Sequence, residues 1–179
     1  MRIAIINGNP DPENQGFEGY IQLLAAELNS LGNETETICL REMKINHCVG
    51  CYSCWLKTPG VCVFNDDGPR LLTEFLKADL AVYASPVLMG FISALLKGAQ
   101  ERFLPLSLPF FLIKDNRLQH IPRYAKYPAS AVLLGATEDD ISSTGLIENI
   151  FKSGRTRRFL FTKTMNTPVK EVANALNDI

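Results

Sequence analysis

No apolar run in this sequence approaches the roughly 20 residues that a membrane-spanning helix requires. Neither sign of charge is in excess. Eighteen Lys and Arg stand against 19 Asp and Glu, a formal net charge of −1, which supplies no bulk attraction for nucleic acid or anionic lipid. The chain shows no internal repeat and no low-complexity tract. Its first residues, Met1 to Gly8, lack the charged region and apolar core of an export signal, so a soluble, cytoplasmic protein is expected. Histidine is scarce: His47 and His120 have no nearby Ser/Asp or His-x-His partner, and no side-chain catalyst is expected of either. What is present is an ordinary globular composition, 46% hydrophobic and 21% charged. At 179 residues the chain makes one domain, 1–179, able to bury a core without disulfide staples.

Apolar periodicity alternates between strand and helix along the chain. Met1–Asn7 reads as a buried strand, and Phe17–Leu31 as a helix with Tyr20, Leu23, Leu24, Leu28 and Leu31 at helical spacing, closed by Gly32. Glu34–Leu40 is a second strand. Asp66 or Asp67 caps a helix with Pro69 in its first turn and Leu71, Leu72, Phe75 and Leu76 on its apolar face. Leu80–Ala84 is a third strand, Gly90–Phe103 a helix, Ala129–Gly135 a fourth strand and Ser143–Ser153 a helix. Thr156–Thr164 and Thr167–Asn177 complete five strands and five helices, the pattern of a doubly wound α/β domain with a parallel sheet. The stretch 105–128 is long for a connection. Phe110–Lys114 and Arg117–Ile121 flank Asp115-Asn116, so an inserted hairpin is predicted, a lid over apolar surface or a dimer contact.

In open parallel sheets ligands bind outside the carboxyl ends of the strands, where helix N-termini aim free N–H groups outward. Three loops occupy that edge. Gly8–Gly16 is placed as a phosphate cradle whose anion ligands are the amides of Asn9, Asn14 and Gln15 and the N–H groups of Gln15, Gly16 and Phe17. Its composition opposes that use: Pro10 and Pro12 remove donors, Asp11 and Glu13 repel an anion, and no Ser, Thr, Lys or Arg stands between Gly8 and Gly19. The second loop presents Pro86, Val87, Leu88, Met89 and Gly90, a rigid apolar turn suited to a flat aromatic ligand such as a flavin ring, or to packing under the hairpin. The third opens with Gly135, Ala136 and Thr137 and continues into Glu138, Asp139 and Asp140.

Cys48-x2-Cys51-x2-Cys54-x7-Cys62 is the most specific pattern in the chain. Three closely spaced thiolates and a fourth returning from a Pro59-Gly60 turn suit the corners of a 4Fe-4S cube, and Gly50 gives the segment room to wrap. Tetrahedral zinc, disulfide exchange at Cys51 and Cys54, and four reduced thiols without metal are the alternatives. Trp55 shields such a centre or simply packs, and Cys39 reads as core. The basic group Lys152, Arg155, Arg157 and Arg158 reads as a solvated turn, or as a seat for the phosphate of NADPH or for an acidic electron-transfer partner.

These residues together resemble the flavodoxin-like NAD(P)H-dependent FMN reductases and, through the cysteine motif, their iron-sulfur flavoprotein branch. The resemblance runs from Ile3–Gly16 through Cys48–Cys62 and Asp66-Asp67 to Ser85–Gly90, the Leu96–Arg102 helix and the segment 102–127 with His120, Arg123 and Tyr124. It implies a five-stranded sheet of order 2-1-3-4-5. It implies FMN held by Asn9, Asn14, Gln15, Gly16 and Phe17 at the phosphate, by Pro86 to Gly90 at the ring and by Gly135 to Thr137 beside it. It also implies a 4Fe-4S cluster on Cys48, Cys51, Cys54 and Cys62, NAD(P)H as electron donor, a small-molecule or protein redox partner, and a homo-oligomer. Leu88 stands where the family has Tyr, and the phosphate loop lacks the family's hydroxyl residues. Three functions follow: an FMN-dependent redox protein, a flavin-free module that binds or carries metal on the same scaffold, or a thiol-exchange enzyme.

Overall fold

The chain is seen in a computed structural model that describes residues 1–114, 116–136, 144–152 and 158–178. Ile3, Ala4, Ile5 and Ile6 are all buried, the mark of a strand covered on both faces, and β1 (Arg2–Asn7) lies inside the sheet. Around it stand β2 (Glu34–Cys39), β3 (Leu80–Leu88), β7 (Ala129–Gly135) and β8 (Phe159–Thr164), in the order β2-β1-β3-β7-β8 and all parallel. With the insertions set aside this is the expected order 2-1-3-4-5. Alternate strand residues face opposite layers. Ile3, Ile5, Val82 and Leu133 pack against α1 (Gln15–Ser30) and α6 (Val169–Asn177), while Ala4, Ile6, Tyr83 and Val132 pack against α3 (Gly68–Lys77), α4 (Ala94–Glu101) and α5 (Thr144–Lys152). Among the described residues no helix is long and apolar enough to cross a membrane.

Several boundaries differ from the sequence reading. The third strand does not stop at Ala84 but runs to Leu88, turns at Met89-Gly90 and returns as β4 (Phe91–Ile92), pairing Val87 with Ile92 and Leu88 with Phe91. Both turn residues have positive φ, 52° and 77°, the conformation of a two-residue turn that matches strand twist. The helix expected from Gly90 therefore begins only at Ala94, after Ser93, whose Oγ accepts the Leu96 N–H at 3.1 Å. A short helix not anticipated, α2 (Ser53–Leu56), interrupts the cysteine segment. Cys39 is half-buried at the end of β2 and is not core. The predicted hairpin is present as β5 (Ser107–Lys114) and β6 (Arg117–Pro122), longer than expected, with Asn116 at φ 58° in the turn and Asp115 outside the described residues.

One hydrogen-bonded knot joins the loops that follow the first and third strands. Gly8 donates its N–H to the Ala84 carbonyl at 2.8 Å and its own carbonyl accepts the Ser93 hydroxyl at 2.5 Å. The Ser93 N–H donates in turn to Ser85 Oγ at 2.9 Å. This approach needs a residue without a side chain, because a Cβ at Gly8 would lie 2.6 Å from Leu96 Cβ and 3.2 Å from the Ala84 carbonyl oxygen. Gly8→Ala is expected to destabilise the fold by about 1–3 kcal/mol through overpacking, read from urea unfolding. An unchanged midpoint and slope would show that the knot relaxes freely.

Candidate functional site

The first loop is closed on itself. Asn9 is fully buried, and its side chain accepts the Asp11 N–H at 3.2 Å while donating to the Asp11 carbonyl at 2.7 Å and to Glu18 Oε1 at 2.7 Å. Asp11 Oδ1 takes the Glu13 N–H at 2.9 Å, and the Gln15 N–H goes to the Glu13 carbonyl at 2.7 Å. Asn14 caps α1 by accepting the Phe17 N–H at 3.2 Å. Asn9 and the Phe17 N–H are thus occupied within the protein, and the Phe17 ring is buried core. Asn14, Gln15 and Gly16 are exposed at the start of this helix of 16 residues, and a Cβ at Gly16 would meet only Asn14 Oδ1, at 4.0 Å. Among the described residues the Gly16 N–H has no acceptor, as expected of a first-turn donor.

Beneath this loop lies a cation the sequence reading missed. Arg41 Nη1 donates to Glu18 Oε1 at 2.9 Å and reaches the Asn9 carbonyl at 3.4 Å. Burial raises the pKa of the Glu18 carboxyl, but hydrogen bonds from Asn9, Asn7 and Arg41 outweigh it and hold the group below its ordinary value. Glu18 therefore carries its charge under the loop, and Arg41 offsets it. No local pattern signals the pair, because 23 residues separate the partners.

The ring loop is the tip of the β3–β4 hairpin: Pro86 is buried, Val87 and Gly90 half-buried, and Leu88 and Met89 exposed. Gly135 stands against the Phe17 ring, which a Cβ there would meet at 2.8 Å, so the third loop's start abuts the base of the first. Ala136 is buried beside it. Thr137 lies outside the described residues, as do Arg155 and Arg157. Lys152 is exposed and pairs with Glu148 within its helix, while Arg158 is exposed at the start of β8.

All four cysteines of the motif line one recess, together with Tyr52, Val63, Phe64, Arg102, Leu104 and Pro105. Cys54 is buried, Cys48 and Cys62 half-buried and Cys51 exposed. Two left-handed residues, Gly50 at φ 64° and Tyr52 at φ 54°, curl the backbone around the recess, the kind of turn that presents N–H groups to anions and clusters. Burial pushes the Cys54 thiol up, reinforced by the negative charge of Cys62, Cys48 and Cys51. The Ser53 N–H and hydroxyl hold the Cys51 thiol below its ordinary value. Among the described residues no three His, Cys, Asp or Glu side chains form a single-ion site. Trp55, packed between Tyr52 at 5.5 Å and His120 at 4.9 Å, donates from Nε1 to the carbonyls of Ser107 and Leu104 at 2.9 and 3.2 Å. It ties the inserted hairpin to the cysteine segment.

The two ends of that segment are fastened together. Asp66 accepts the Asn46 N–H at 2.9 Å, the Gly68 N–H at 3.0 Å and both Arg102 Nη1 and Nη2 at 2.7 and 2.9 Å. Arg102 Nη1 also donates to the Asn46 carbonyl at 2.6 Å, and Asp67 exchanges two hydrogen bonds with the Lys44 backbone. Arg102 and Asp66 side chains are 2% and 0% exposed, so the pair is dry. Asp66 does bond the helix start, as anticipated, but its main partner is an Arg that the sequence reading passed over. Arg102 follows Leu95 and Ala99 on the inward stripe of α4, and a charge on that stripe was the signal available.

A family model described as NADPH-dependent FMN reductase matches residues 1–118. The chain is 38% identical over 116 residues to an iron-sulfur flavoprotein of Methanocaldococcus jannaschii, covering 63% of this chain and 56% of that protein. It is 26% identical over 160 residues to an iron-sulfur flavoprotein of Archaeoglobus fulgidus, covering 86% and 77%. The match thus spans little more than half the length of the first of these. Among solved structures, an azoreductase from Bacillus anthracis superposes with TM-score 0.70 at 12% identity over 100% of both chains. An NAD(P)H:quinone oxidoreductase from Methanothermobacter marburgensis gives 0.63 at 14% identity over 99% and 94%. These two likenesses establish the shared flavodoxin-like fold.

The dry pair makes a pH prediction. The Arg102 guanidinium holds the Asp66 carboxyl well below the usual carboxylate range, with burial opposing it and Asn46 and Gly68 assisting. A depressed folded pKa contributes stability that is present above the unfolded value, about 3.9, and is lost as pH falls toward the folded one. Asp66→Asn is expected to cost about 3–5 kcal/mol at pH 7 by leaving Arg102 unpaired. In urea titrations the gap to wild type should narrow by about 1 kcal/mol at pH 3. An equal gap at both pH values would contradict the assignment.

Proposed function

We propose, since the chain belongs to the NADPH-dependent FMN reductase family, that this protein is an FMN-dependent redox protein with a second redox group, a 4Fe-4S cluster, on Cys48, Cys51, Cys54 and Cys62. The observation that carries the reading is the convergence of all four thiols on one recess of a domain with the flavodoxin-like strand order. The fit to FMN is uneven. The start of α1 offers the Gly16 N–H, the positive end of the helix dipole and the exposed amides of Asn14 and Gln15 to a phosphate. The β3–β4 turn offers exposed Leu88 and Met89 on a rigid hairpin to a flat ring, with Gly135 and Ala136 at the neighbouring strand end.

The fit to the cluster rests on the donor set. Four thiolates in one recess repel one another, and coordination to iron deprotonates and neutralises them together, with the left-handed turns at Gly50 and Tyr52 wrapping the backbone around the group. When bound, FMN supplies two-electron exchange with a nicotinamide and one-electron exchange with a metal centre. The protein's own part is positional. The Gly8–Ser93–Ser85 knot fixes the phosphate loop against the ring loop, Trp55 covers the cysteine segment on its hairpin side, and NAD(P)H is the donor that the family implies. The exposed Phe110, Ile113 and Leu118 of the hairpin support a homo-oligomer, with a small molecule or another protein as electron acceptor.

Anaerobic purification with flavin, iron and sulfide measured on one sample tests this reading. It is expected to give about four irons per chain and flavin absorbance that FMN addition brings to one per chain. Cys54→Ser should remove iron and leave flavin binding in place. Gly16→Asp, which adds a negative charge at the helix start where a Cβ meets no close contact, should weaken FMN binding about tenfold or more, roughly 1.4 kcal/mol. Protein that stays colourless with FMN points to the flavin-free module, which the internally spent amides of Asn9–Glu13 would explain, and zinc in place of iron would overturn the cluster.

A further inference from the structure

We propose that Arg102 tunes the reduction potential of the group held by the four cysteines, its buried guanidinium acting through Nε as a permanent cationic donor to sulfur at Cys62. This inference rests on the cluster reading above. Arg102 has five N–H donors, and its terminal nitrogens donate to Asp66 and the Asn46 carbonyl. Its plane lies over the Phe64 ring, 5.2 Å from the centroid. Nε is buried and has no hydrogen-bond partner in the protein. Buried donors are nearly always satisfied, so an orphaned one in a charged, dry side chain points to an acceptor that belongs to the site.

The place of that acceptor follows from the surroundings. Arg102 lines the same recess as the four thiols, and Cys62 is close enough for charge and hydrogen-bonding contact with it. Nε nevertheless makes no hydrogen bond of ordinary geometry to any protein atom. A sulfur that carries negative charge, either the Cys62 thiolate or an inorganic sulfide bonded to the same iron, completes the set. Asp66 takes Nη1 and Nη2 of the guanidinium, so Nε is not among the atoms it holds. Gly68 is part of this arrangement, since a Cβ there would stand 2.7 Å from Arg102 Nη2 and 2.9 Å from Asp66 Oδ1.

The consequence is electrostatic. One-electron reduction adds a negative charge to the cluster, and hydrogen bonds to its sulfurs and nearby positive charge favour the reduced form. Arg stays protonated throughout, so the couple takes up an electron without a proton at this residue. The guanidinium therefore raises the potential, and the ion pair with Asp66 keeps it aimed.

Two variants separate this role from simple support of the fold. Arg102→Lys keeps a cation and removes Nε, while the double variant Asp66→Asn with Arg102→Gln leaves no unpaired charge in the neck. Each is purified anaerobically, assayed for iron and sulfide, and titrated with dithionite and mediators while the cluster and flavin spectra are followed. At the wild-type midpoint, the double variant is expected to hold about a tenfold excess of oxidised cluster, a fall of about 59 mV for a one-electron couple. The lysine variant should fall part of that way, and the flavin potential should not move. Full iron content with an unchanged midpoint overturns the proposal. Loss of iron from both variants also overturns it, making Arg102 a structural clamp alone. Wild-type protein without iron and sulfide fails the cluster reading itself, and the tuning role falls with it.

Discussion

The buried pair between Arg102 and Asp66 is the constraint on which the cysteine site depends. Residues 47–65 form an excursion from the α/β frame, and such a loop has no sheet ladder to position it. Its two ends are held instead by Asp66 against the Asn46 and Gly68 N–H groups, by Asp67 against Lys44, and by Arg102 from α4. Taking two charges out of water costs several kcal/mol per ion, and the attraction between them does little more than offset it. The pair is therefore a poor source of net stability and a strict source of geometry. An apolar replacement would close the neck without directional bonds and without a cation at the recess.

Helix α4 links the two candidate sites. Ser93 caps its N-terminus while bonding Gly8 and Ser85, which sets the ring turn against the phosphate loop. Arg102 follows its last turn, where a cation also complements the negative end of the helix dipole. Its eight residues put the two ends about 12 Å apart along the axis, at about 1.5 Å per residue. A shift of this one helix would move both sites, and the knot at Gly8 together with the neck at Asp66 fixes it at each end.

Strands and helices whose burial follows period were readable from the residues alone. Ile3–Ile6 as a central strand, the Leu24 and Leu28 face of α1, and the turn at Asn116 all rest on local chemistry that tertiary contacts reinforce. The β3–β4 hairpin escaped because Met89 takes a positive φ that its residue type does not advertise, and because Gly90 reads equally well as the start of a helix. Arg41 escaped for a different reason: its partner is set by the sheet order and by no spacing along the chain. The cysteines were the opposite case, since their spacing marked them as one group and the fold sets all four on one recess. What spacing could not supply was the guanidinium behind them.

The two sites differ in how much polar capacity they keep for a ligand. At the phosphate loop most donors are already spent, on Asn9, Asp11 and the Asn14 cap, and exposed Asp11 and Glu13 stand nearby. One open helix turn would then face a dianion, so on the proposed reading flavin binding leans on apolar contact at the exposed Leu88 and Met89, where area is removed from water. At the cysteine recess the balance is reversed. Four thiols share one recess with a cationic donor that has no hydrogen-bond partner in the protein, and the backbone around them is already curled. The chain has thus kept its unsatisfied polar capacity at the sulfur site and closed most of it at the phosphate site.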